Sequence, residues 1–327
     1  MPTFLVTSKM NPALRARVER AVTGRASSPI TMRRMMSLAR FALVFGLLFG
    51  VYEIVTTRRT EAREHGRAQR ELLAQVNAHV ASLDPNDLGA PARAESWIVR
   101  LASRDSFTEI LSDELRAPGV LRARLASPLI WTRGPRASFA VAERVAETAA
   151  TSGKDALLLC LVDPPAARSE KVLLDEIHDA YAGGPAIEDK TPNARRLHEA
   201  VVGLPFLSPP WSARVQSAQS ADEVAKLRRD FERAPIERAK QAAKAGLLLV
   251  ALDEPDPATQ SAPTELDGER PHFVRVALVD LVAQKVLLAT RRHVDPSWIS
   301  VGKRSTHAMG LDSCALAFDI HESVAKK

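Results

Sequence analysis

Between Phe41 and Tyr52 the chain carries no charged side chain, and the apolar pattern extends outward to cover residues 35–57. As a helix rising ~1.5 Å per residue this stretch reaches roughly 34 Å, enough to cross a bilayer, with Arg40 and Glu53 reaching to the two interfaces. No small-x-small cleavage pattern closes its far edge, where Val55-Thr-Thr-Arg-Arg59 follows, so it reads as an uncleaved anchor rather than a signal peptide. Gly46 and Gly50 stand four apart within it, the spacing that lets two membrane helices approach closely, and are the candidates for homodimerisation. Over residues 58–84 the pattern turns polar, with Leu72, Leu73, Val76, Val80 and Leu83 at helical spacing. This predicts a juxtamembrane stalk whose apolar stripe either pairs with a second copy or folds back on the body, and Asp84-Pro85-Asn86-Asp87 ends it.

A soluble domain is expected over 92–327, with two sub-units, 92–190 and 191–327, as one way of dividing it. Residues 107–116 and 137–151 read as helices and 125–132 as extended. The unbroken aliphatic run Leu157–Val162, inside Asp155–Pro165, reads as a strand buried on both faces and therefore central. Helices are predicted at 169–182, 193–203, 222–232 after an N-cap at Ser220, and 236–244 after Pro235. Leu247–Pro255 is a second aliphatic strand, 273–280 and 285–290 form a hairpin, and a final helix over 311–324 turns Leu311, Cys314, Ala315 and Phe318 inward, with Ile320 or His321. Lys154–Pro164 and Lys244–Pro255 look alike, each after an Ala-rich helix, which raises an internal duplication. The fold class is thus α/β or α+β, a mixed sheet with flanking helices, preceded by one transmembrane helix and a helical stalk.

Charge sharpens this picture. Residues 1–34 hold seven basic side chains against the single acid Glu19, so the net charge of +6 belongs to the tail and the remainder is neutral. A basic tail beside an apolar run fits an anionic leaflet, at about 1 kcal/mol per basic residue. With aromatics at only 5%, nucleic acid is set aside as a partner. Basic residues flank both ends of the span, and the modest excess on the N-terminal side places the tail inside and the body outside the cytoplasm, as a single-pass inner-membrane protein. Met32, directly before Arg33, offers a second start that would leave out most of the basic tail.

Residues 236–290 resemble the helix–strand–hairpin portion of the extracytoplasmic α/β modules of curli-assembly lipoproteins and peptidoglycan-synthase activator lipoproteins. The resemblance is carried by the Ala-rich helix, the strand Leu247–Pro255, and Val279-Asp280 followed by Lys285-Val-Leu287. Those families often read Val-Asp-x-x-Thr-Gly-x-Val at the hairpin, where this chain has Ala283-Gln284 in place of Thr-Gly. The resemblance implies a non-catalytic envelope module with an envelope protein as partner.

Candidate chemistry is sparse. Asp163 and Asp253 are each predicted to end a strand, and on neighbouring parallel strands they would share a cleft, the arrangement a hydrolase or cation-dependent enzyme needs. Turn chemistry at Asp-Pro and Asp-Glu-Pro accounts for them equally well. Ser300-Val-Gly-Lys303 fits Ser-x-x-Lys without its companion motifs, Gly302-Lys-Arg-Ser305 fails as a phosphate loop, and Arg291-Arg-His293 offers charge to an anion. The histidines show no His-x-x-x-His pair, so neither metal nor cofactor is called for. Cys160 and Cys314 are expected as buried thiols, joined only in an oxidising compartment. The reading taken is a membrane-tethered extracytoplasmic interaction or assembly module, and the alternative is the tethered enzyme using Asp163 and Asp253.

Overall fold

The computed structural model describes residues 12–13, 16–17, 29–84, 87–181, 186–258 and 270–326. Most of the expected basic tail 1–34, and the centre of the polar loop after Leu247–Pro255, lie outside them. The described chain falls into two compact units, Met1–Arg67 and Ala68–Lys327.

In the first unit lies most of helix α1, Pro29–Ala81. From Phe41 to Val55 its large apolar side chains are exposed, Phe41 at 75% and Tyr52 at 66%. Among the described residues it is the one helix long and apolar enough to cross a membrane. No break separates the expected span from the expected stalk, because Thr56, Thr57 and Thr60 return their hydroxyls to carbonyls one turn earlier and leave the helix ladder intact.

The second unit begins before the expected boundary at 92. Its elements are α2 (Ala90–Ser103), β1 (Ile110–Leu111), α3 (Val120–Leu125), β2 (Leu129–Pro135), α4 (Arg136–Phe139), α5 (Val145–Thr151), α6 (Ala156–Val162), α7 (Glu170–Tyr181), α8 (Ala186–Lys190), β3 (Ala194–Arg196), α9 (Leu197–Gly203), α10 (Pro209–Ser217), α11 (Ala221–Arg233), α12 (Ile236–Ala243), β4 (Leu247–Pro255), β5 (His272–Asp280), β6 (Lys285–Val294) and α13 (Val301–Ala325). Among the described residues the strands form one six-stranded sheet, ordered β1-β6-β5-β4-β2-β3. Strand β2 runs parallel to β3 and β4, and the β4–β5–β6–β1 side is antiparallel. The α/β expectation with a mixed sheet and flanking helices therefore holds, and 92–190 and 191–327 share that sheet through β2.

Alternation along the strands sorts the core. Trp131, Leu249, Ala251 and Val276 face a cluster with α6, α7 and α13. Ile130, Leu248, Val250, Leu252 and Val279 face the opposite cluster with α2, α5 and α9. A third cluster joins Leu72 and Val76 to Leu207, Trp211, Val215, Leu227 and Phe231. Within the body, then, the stripe starting at Leu72 folds back, and Gln69 fixes it by donating to the carbonyls of Val215 and Gln216 at 2.8 and 2.7 Å.

The expected central strand at 155–165 is a helix instead. Ala and Leu are strong helix formers, Val162 is the one β-branched residue in the run, and Asp155 caps it by accepting from Leu158 N at 3.1 Å. Its burial on every side reflects a position between the sheet and α13, not sheet membership. The duplication idea falls with it, since Lys154–Pro164 and Lys244–Pro255 fold as different elements. Smaller departures occur at 107–116, which holds strand β1 and a 3-10 turn at Asp113–Arg116, and at 193–196, where β3 precedes the helix. The helices at 170–181, 221–233 and 236–243 and the hairpin form where predicted, and Ser220 caps α11 by accepting from Glu223 N.

Gln284 takes φ 54°, the left-handed conformation that glycine adopts at least cost. Asp280 Oδ1 accepts from Val282 N and Ala283 N, while the Gln284 amide donates to Leu281 O and accepts from Trp97 Nε1 at 3.2 Å. Side-chain bonds thus hold a backbone conformation that the residue itself disfavours.

Candidate functional site

The strand-end chemistry sits where β2 and β4 run side by side, with Pro135 opposite Asp253. Successive residues of β4 point to opposite faces, so Asp253 enters the α6–α13 side and Glu254 the other. Both are almost fully buried, at 3% and 4% exposed.

Asp253 meets Arg133, which leaves β2 on the same face. The Arg133 guanidinium donates from Nε and Nη2 to Asp253, the Nη2 bond being 3.0 Å, and from Nη1 to Asp155 at 2.8 Å and Ser313 Oγ at 3.0 Å. Burial pulls against the Arg133 charge, but the Asp253 and Asp155 carboxylates outweigh it and push its pKa up. One arginine thereby ties β2 and β4 to the first turn of α6 and to α13.

Glu254 is held by three guanidinium groups on the opposite face: Arg275 at 2.5 Å, Arg291 at 2.7 Å and Arg136 at 3.4 Å. Arg291 also stacks 3.9 Å over the Phe273 ring. On the other face, with Asp253 and Arg133, His272 is buried, and desolvation draws its pKa down.

The two carboxylates singled out from the sequence are not brought together. Asp163 caps the C-terminal end of α6, half-exposed and paired with Arg122 at 3.0 Å. Because Asp155, at the other end of α6, is the residue that touches the Arg133–Asp253 pair, Asp163 stands about 12 Å farther along the helix. A carboxylate bonded twice to a guanidinium offers a cation few free lone pairs. Among the described residues no group of three or more His, Cys, Asp or Glu is placed to hold a metal ion.

The other sequence candidates have structural occupations. Ser300 N and Oγ both donate to Glu170, and Lys303 pairs with the same carboxylate at 3.2 Å. Arg292 pairs with Glu109 and His293 lies 3.4 Å from Asp256. Gly46 and Gly50 present an open helix face, where a methyl group added at either would meet no atom within 4 Å. Cys160 and Cys314 form a disulfide with Cα atoms 5.2 Å apart, joining α6 to α13, so the expectation of two free thiols gives way. In the core both positions are fully buried and face each other, and the spacing falls within the range a disulfide needs.

No protein family, no curated protein and no solved structure matches the chain.

Arg133, Asp155 and Glu254 are not among the residues the sequence singles out, and neither is Asp312 on α13. Asp312 lies one residue before Ser313, 3% exposed; its Oδ1 accepts from Trp298 Nε1 at 2.7 Å and its Oδ2 has no partner. Desolvation, with Asp295 nearby, pushes its pKa up to about 7, against the pull of Arg168 and Arg304. A carboxyl with a folded-state pKa above its unfolded value of 3.8 costs stability as pH rises from about 4 to 7, on the order of 4 kcal/mol at the upper end. Asp312→Asn keeps an acceptor for Trp298 and removes the ionisation. It should raise the denaturation midpoint at pH 8 and have little effect at pH 4; an equal change at both would assign the effect to packing.

Proposed function

We propose that the chain is a single-pass membrane protein whose α/β body works outside the cytoplasm as an interaction or assembly module, by binding and not by catalysis. The observation that carries this is the belt of exposed apolar side chains from Phe41 to Val55 on α1, uncharged from Phe41 to Tyr52. Exposed to water, such a belt is costly and invites aggregation; in lipid it is at home.

Three further observations support the reading. A disulfide in the core belongs with an oxidising compartment, which favours the body on the extracytoplasmic side and the basic tail in the cytoplasm. Asp253 is neutralised by Arg133 and separated from Asp163, which leaves the alternative of a tethered hydrolase without its paired carboxylates. Ile236–Ala243 folds as a helix, Leu247–Pro255 as a strand, and His272–Asp280 with Lys285–Val294 as a hairpin, with Gln284 in the backbone conformation that suits the glycine of the curli-assembly and synthase-activator lipoproteins, and this is compatible with an envelope protein as partner. Gly46 and Gly50 give α1 a face on which a second copy can pack in the bilayer.

Alkaline carbonate extraction tests the anchor. Wild-type chain should stay with the membranes, and Phe45→Arg with Leu48→Arg, each costing about 3 kcal/mol at the bilayer centre, should move it to the supernatant. Release of the wild-type chain would end the anchor reading.

A further inference from the structure

On the sheet face opposite the disulfide, one register row runs Val250, Ala277, Ala289, Ile110 across β4, β5, β6 and β1. Its two central members are alanines, so side-chain volume is missing from the middle of an otherwise aliphatic row. Phe107 and Leu101 stand over the gap without filling it, leaving a cavity of about 240 Å³.

The chemistry at its rim is cationic. Arg275 lines the cavity but is already engaged by Glu254 and by the carbonyls of Arg104 and Asp105. Arg104 also lines it, is exposed, and has no ion pair or side-chain hydrogen bond among the described residues. Ser106 and Thr108 line the same cavity. A hollow with an alanine floor, aromatic and aliphatic walls and one uncommitted guanidinium selects a ligand with an apolar body and a single negative charge; a cation would be repelled, and a bare phosphate would leave the floor unfilled. The volume equals roughly eight waters, room for about ten non-hydrogen atoms.

We infer that this cavity binds a small amphiphilic carboxylate, an aryl or short-chain acid, whose carboxylate pairs with Arg104 while its apolar body rests on Ala277 and Ala289. The site is independent of Asp163 and Asp253 and of the membrane anchor, and it would give the body a small-molecule input in addition to a protein partner.

The test uses the full chain in lipid nanodiscs and 4-fluorophenylacetate, followed by fluorine NMR line broadening, with empty nanodiscs to subtract partitioning into lipid. Saturable broadening is expected for the acid, and weaker broadening for the neutral 4-fluorophenylacetamide. Arg104→Met, at an exposed position, should weaken the acid roughly ten- to hundredfold and leave the amide unchanged. Ala289→Leu should abolish binding of both by filling the floor. Broadening no greater than with empty discs, equal binding of acid and amide, or an Arg104→Met variant that binds like wild type would each overturn the proposal.

Discussion

Replacing Arg133 with methionine should destabilise the body by about 3–5 kcal/mol, because it leaves Asp253 and Asp155 buried without their shared cation. Methionine has nearly the length of the arginine stem, so lost volume contributes little and the unpaired charges dominate. Trp131, fully buried on the same face of β2, reports the unfolding by fluorescence. A sharper outcome separates charge from packing. Arg133→Met combined with Asp253→Leu and Asp155→Asn removes the charges together while Asn keeps the N-cap of α6, and most of the loss should be recovered. Should the triple variant be no more stable than Arg133→Met alone, the cluster is held by shape and not by charge balance.

Breaking the disulfide is the second large effect. Cys160 and Cys314 are 154 residues apart, and closing a loop of that length restricts the unfolded chain by roughly 5 kcal/mol in the chain-entropy description. Measured losses usually reach about 2–5 kcal/mol, and Cys314→Ala should fall in that range. Cys160→Ala should cost a similar amount and the double variant little more than either, since one bond is lost in every case. Both half-cystines are fully buried, so reductant should release thiols only as the body unfolds. Thiols titratable at once in the native chain would contradict the burial of this bond.

Much of the fold is legible where pattern and end signals agree. Ser220 and Pro235 mark the starts of α11 and α12, and the alternation in 273–290 with Asp280 in the turn gives the hairpin. The run at 156–162 misleads because Leu and Ala serve both a buried strand and a buried helix; periodicity vanishes when every side is covered, and the deciding signal, Asp155 as an N-cap, lies just outside the run. The same ambiguity misplaces the candidate site, since it puts Asp163 at a strand end that does not exist. Asp253 is legible as a strand-end acid, but its partner is not. Arg133 stands three residues beyond Ile130 in a buried strand, and a lone arginine continuing an apolar run is the signal that points to a buried acid. Asp312, in Leu311-Asp-Ser-Cys-Ala315, carries the same signal on the inner face of α13. Which acids and bases meet depends on β2 lying beside β4, a long-range pairing that local sequence does not encode.

Compartment decides what the body can bind, and a dual topology reporter measures it directly: alkaline phosphatase or a fluorescent protein fused after Lys327, and again before Met32, in the full chain. Phosphatase activity and no fluorescence are expected for the fusion at Lys327, with the reverse at Met32. Fluorescence from the Lys327 fusion would put the body in the cytoplasm, and would contradict both the extracytoplasmic module and the compartment that the Cys160–Cys314 disulfide calls for.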